Sequence, residues 1–149
     1  QEFRTLTSEK INSTDNNKML SGVCMNIQIE LENAPDMNEA FSMLPDEKKY
    51  IYCLEYFDED AIKSLSTFFK NNGAPLTPLI IDALNAVGAH KYIDILSPIV
   101  PMYDPDSDVS IDYTIIAKAD ENFKEVYDSD ELCKLAAQYI KKNKEIFLN

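Results

Sequence analysis

Tryptophan is absent from this 149-residue chain, glycine occurs three times and histidine once, and these scarcities remove most kinds of catalyst at the outset. Loops that cradle phosphate need clustered glycines, but Gly22, Gly73 and Gly88 stand far apart, and neither a P-loop nor GxGxxG is present. There is no GxSxG elbow and no HExxH. His90 has Asp94 one helical turn away, a spacing open to a general base, yet a lone imidazole at a helix start reads first as a surface side chain. Asp58 and Asp60 form a carboxylate pair without the tryptophan platform that would hold a sugar beside it. The chain is therefore expected not to be an enzyme and to need no cofactor.

Cysteine is also scarce. Cys24, Cys53 and Cys133 are odd in number and share no CxxC, which excludes a disulfide framework and a zinc knuckle and leaves buried free thiols. No apolar run approaches the ~20 residues that cross a bilayer, so no membrane span is expected. The first residue is Gln1 rather than Met, so a removed N-terminal signal segment stays open while a cytoplasmic location is favoured. Positive charge is the last shortage: 14 Lys and Arg face 26 Asp and Glu, a net charge of −12 and a pI near 4.4. Such a field repels nucleic acid, whose direct binders carry a basic stripe.

What remains is enough for one core. A hydrophobic content of 45% with 15 Phe and Tyr supports a single globular domain, which at this size buries roughly 70% of its unfolded surface. Residues 1–22, rich in Asn, Ser and Thr, read as a polar N-terminal arm or weak helix ahead of a helical domain over 23–149. The segment VCMNIQIEL (23–31) alternates like a strand, yet Val23, Ile27 and Leu31 also fit a helical stripe; taken alone it leans towards strand. Helix signals follow. Asp36 and Glu39 form a capping box, Pro45 opens a stripe of Tyr50, Ile51, Leu54 and Phe57, and Ile62, Leu65, Phe68 and Phe69 lead to a stop at Asn71, Asn72 and Gly73. Thr77 and Pro78 start a central helix that Gly88 closes, and a short helix broken by Pro98 and Pro101 comes next. A helix over 113–127 puts Ile116, Ala119, Phe123 and Val126 on one face, and Asp128 with Glu131 boxes the last helix. The fold class is all-α, one compact domain of about six or seven short helices.

The acids are unevenly placed. Residues 104–131 hold Asp104, Asp106, Asp108, Asp112, Asp120, Glu121, Glu125, Asp128, Asp130 and Glu131 against Lys118 and Lys124, which is −8 of the net −12, while the residues after them are net +3. Asp104, Asp106, Asp108, Ser110 and Asp112 take positions 1, 3, 5, 7 and 9 of a calcium loop. Val109 stands where that loop needs Gly and Ile115 where it needs a bidentate Glu, so a metal site on Asp104, Asp106, Asp108 and Asp112 is only an alternative. Solubility requires acids but not this concentration of them, and like charges one helical turn apart cost a few tenths of a kcal/mol. The distribution favours a surface displayed to a basic protein, with Tyr103 and Tyr113 flanking the loop.

Three stretches carry a resemblance: LPDEKKYIYCLEYFDEDAIKSLSTFFKNNG, IIDALNAVGAHKYIDIL and ADENFKEVYDSDELCKLAAQYIKKNKEIF. The clearest points are Leu44-Pro45, Phe57-Asp58, Phe68-Phe69, Gly88-Ala89, Lys91-Tyr92, Ile95-Leu96, Tyr127 and Tyr139-Ile140. Over residues 40–149 the chain resembles the bacterial DNA-mimic-protein-like domain family. Where that family has an Asn-Gly-Gly turn the chain reads Ala61-Ile62-Lys63-Ser64, so no role tied to the turn carries over. The resemblance implies an all-α fold, which turns VCMNIQIEL to helix. It also implies an acidic surface that imitates DNA and occupies a basic DNA-binding protein. The alternatives are a calcium-associating loop domain and a structural or toxin-neutralising helical domain; a homodimer is compatible with each.

Overall fold

Caps and prolines set most boundaries. The computed structural model describes residues 2–149, except for the side chains of residues 73–75, and contains eleven α-helices and two 3-10 turns with no strand among the described residues. The helices are α1 Ser8–Ser13, α2 Asn16–Glu32, α3 Met37–Ser42, α4 Asp46–Ala61, α5 Leu65–Leu76, α6 Ile80–Val87, α7 Ile93–Leu96, α8 Val100–Tyr103, α9 Tyr113–Val126, α10 Ser129–Lys142 and α11 Lys144–Phe147. The all-α expectation holds, but the count of six or seven was low. Five of the eleven (α1, α3, α7, α8, α11) have only four to six residues, too few to show a hydrophobic period.

VCMNIQIEL is helical. It forms the second half of α2, burying Val23, Cys24, Asn26, Ile27 and Leu31 while Met25 is left exposed, a split that alternation does not produce. The boundary expected between residues 22 and 23 falls inside this helix. Before it, Phe3, Leu6 and Ile11 are buried. Asn26 donates through Nδ2 to the carbonyls of Phe3 and Arg4, and Asn149 both donates to Asn26 Oδ1 and accepts from the Leu6 amide at 2.9 Å. One buried asparagine thus ties the two chain ends together.

Asp36 caps α3 by accepting from the Asn38 and Glu39 amides, and Pro45 precedes α4, as the sequence indicates. Helix α4 is the hub: α2, α5, α6 and α10 all pack on it, with Ile51, Leu54 and Phe57 fully buried. Ile62, expected on the following stripe, is exposed in the connection to α5. The stop expected at Asn71, Asn72 and Gly73 does not occur there; α5 runs on through them, Leu65–Leu76. Thr77 does not cap α6. It sits in a 3-10 turn, fully buried, and its hydroxyl has no hydrogen-bond partner among the described residues. Gly88 does close α6, at φ 85° and ψ 17°, where the Ala89 amide reaches back to the Leu84 carbonyl.

Under α9 runs a chain of rings. Tyr103 stacks on Phe69 at 4.8 Å, Phe69 meets Phe68, Phe68 meets Phe57, and Phe57, Tyr92, Phe123 and Tyr127 close the group. These contacts fix α9 and both its flanking segments on the body of the protein. No helix among the described residues is long and apolar enough to cross a membrane.

Candidate acidic interaction surface

Helix α9 organises the acidic segment. The loop 104–112 leads into its N-terminus, Glu121 and Glu125 lie along it, and residues 128–131 start α10 beyond its C-terminus. With 14 residues it spans about 21 Å at 1.5 Å per residue. The ten acids therefore lie before, along and after this helix.

Several also hold the fold. Asp112 caps α9 by accepting from the Thr114 and Ile115 amides, and Asp104 accepts from the Asp106 amide in a local turn. Asp128 caps α10, the last long helix, as the sequence indicates. It accepts from the Glu131 amide, and its own amide donates to the Tyr92 hydroxyl. Glu131 does not complete the box; its carboxylate meets Lys91 at 3.1 Å and, by that hydrogen bond first, raises the lysine pKa. Asp120 faces inward. It accepts from the Leu65 amide at 3.0 Å, supplying the start of α5 from another helix, and its second oxygen lies 3.6 Å from Lys124.

Of the ten, Asp120, Glu121 and Glu131 have a cation within 4.0 Å; the other seven make no ion pair among the described residues. Asp106, Asp108, Glu125 and Asp130 are exposed and make no side-chain hydrogen bond there either. The loop acids do not converge: among the described residues no three His, Cys, Asp or Glu side chains are placed to hold a metal ion. Nothing in the loop geometry favours the calcium alternative. Val126, expected inward, is 42% exposed, and Tyr127 packs instead. Tyr103 is an anchor of the loop, whereas Tyr113 is 72% exposed.

Sequence reasoning missed the acids of α4. Asp58 accepts from the hydroxyls of Tyr127 and Ser129, so it lies against the α9–α10 corner. Burial, then Glu59 and Asp58, push the Glu55 carboxyl up to about 7. Burial and Asp58 raise the Cys133 thiol to about 11, with Glu55 and Asp130 acting in the same direction, so the start of α10 and the middle of α4 share one negative neighbourhood. Cys24 is buried, and that burial first, then Glu55 and Glu59, hold its thiol far above the usual range. The signal for these acids was the i, i+3, i+4 spacing of Glu55, Asp58 and Glu59, which places them on one side of a helix. His90 and Asp94 are both exposed and make no hydrogen bond to each other among the described residues.

A family model described as DMP19-like protein matches residues 42–143, which takes in α4 to α10 and all ten acids. No curated protein and no solved structure matches the chain.

Proposed function

We propose a function from one premise: the chain belongs to the DMP19-like family. It is an acidic protein-interaction module that stands in for DNA on a basic nucleic-acid-binding protein, and the proposal gives it no catalytic role. The observation that carries this reading is the set of exposed carboxylates without ion pairs before, on and after α9 (Asp106, Asp108, Glu125 and Asp130), with Asp58 and its neighbours on α4 at the α9–α10 corner. A duplex presents one charge per ~1.7 Å of axis, more densely than α9 does, but the sign agrees. A partner evolved for phosphate would be steered in by the long-range field and released by salt.

The test is affinity capture at low and high salt with the wild type and with a variant carrying Asp106→Asn, Asp108→Asn, Glu121→Gln and Glu125→Gln. The captured protein is then displaced with duplex DNA. The expected result is capture of a DNA-binding protein at low salt only, competition by DNA, and loss in the variant. Capture that ignores both salt and the four substitutions would falsify the reading.

A further inference from the structure

We propose that the groove between α7 and the first half of α9 seats the apolar face of a basic amphipathic helix of the partner. The inference rests on the acidic-surface reading above and adds where the partner docks and by what chemistry. The groove has a volume of about 470 Å³. Ile95 and Pro98 line one side, Ile115 and Ala119 the other, with Asp94, Thr114, Lys118 and Asn122 completing it.

Single exposed apolar side chains are ordinary. Here they are aligned. Ile115 and Val126 lie on one line of α9 that runs through buried Ala119 and polar Asn122, at i, i+4, i+7 and i+11. Ile115 is 43% exposed and Val126 42%, so the line stays half open at both ends of the helix. The buried side of α9, Ile116 and Phe123 with Ala119 at its edge, has already satisfied the core. A helix laid into such a groove would cover it through positions spaced i, i+3, i+4 and i+7 of its own.

Charge selects the occupant. Lys118 is the one cation of the lining, and its ammonium is 4.0 Å from Glu121. Asp94 stands on the opposite rim, Glu125 lies one turn beyond Glu121, and the loop with Asp104, Asp106, Asp108 and Asp112 ends where α9 begins, next in the chain to Thr114 and Ile115 of the lining. A segment with an apolar face and cationic flanks satisfies both features. A second copy of this chain, itself at −12, would bring like charge to the same rims.

The probe is a synthetic helical peptide with leucines on one face and lysines and arginines on the other, against a scrambled peptide of identical composition. Binding is read by fluorescence anisotropy and mapped by amide chemical shifts. The amphipathic peptide should bind about tenfold more tightly than the scrambled one, and Ile115→Glu should remove that advantage. The substitution adds an acid, so weaker binding of a basic peptide cannot be a charge effect. Shifts on the wild-type protein should centre on Ile95 and residues 114–122, a readout independent of any variant. Equal binding of both peptides, with shifts confined to residues 104–112, overturns the groove and leaves the acidic surface standing. Binding of neither peptide overturns both. A free protein that sediments as a dimer, and as a monomer after Ile115→Glu, also overturns the proposal, because a second copy then covers the groove.

Discussion

At the scale of single residues, the acids divide by what accepts or donates around them. Asp120 holds the Leu65 amide and is half-buried, whereas Asp106 is exposed and its carboxylate touches nothing among the described residues. Asp120→Ala should lower stability by about 1 kcal/mol, the usual effect of a lost cap. Asp106→Ala should leave it within about 0.5 kcal/mol. Urea unfolding of the two variants checks the division between acids that build and acids that face outward. Glu55 is a third kind. Its folded pKa, about 7, lies above the 4.5 usual for a glutamate. The folded state therefore holds a proton that the unfolded chain has released between those values. The Glu55 contribution favours folding at low pH and is lost as pH rises towards 7. Glu55→Gln should raise the melting temperature at pH 8, with the difference from wild type closing near pH 5.

At the scale of elements, local signals carried the helix starts that use their own side chains. Asp36, Asp112 and Asp128 cap the helices directly after them; Asp36 and Asp128 were read so from the sequence, whereas Asp112 was read only as a loop acid. The start of α5 is different: Ser64 takes the Thr67 amide, but the Leu65 amide goes to Asp120, 55 positions away. No local rule points to that. Gly22 is another non-local case. It sits inside α2, where a Cβ would come within 2.4 Å of the Phe3 ring. Gly22→Ala favours the helix by about 1 kcal/mol. It also displaces a ring whose burial contributes about 1.5–3 kcal/mol. The net expectation is a loss of stability, with hydrogen exchange at the Leu6 amide quickening more than exchange in α4.

At the scale of the molecule, the net charge of −12 is spread unevenly and seven of the ten acids around α9 lack an ion pair among the described residues. Repulsion among them opposes folding and is screened over about 10 Å at 0.1 M salt. Adding sodium chloride should therefore raise the melting temperature, and the variant with residues 106, 108, 121 and 125 neutralised should show a smaller rise. A flat response in both would mean that the acids lie too far apart to act together. The same field that weakens the isolated protein is what a basic partner would relieve.

The sequence by itself determined the helical class, the caps at Asp36 and Asp128, the Gly88 stop and the concentration of acids in 104–131, because each follows from a residue type acting on its immediate neighbours. It misjudged VCMNIQIEL when taken alone, since a buried helix can imitate alternation over nine residues. Only the tertiary structure decided that Asp120 turns inward, that Val126 turns outward, and that Asp58 of α4 joins the α9–α10 corner. Each of those depends on which helix lies alongside, and packing between distant segments leaves no period in the chain.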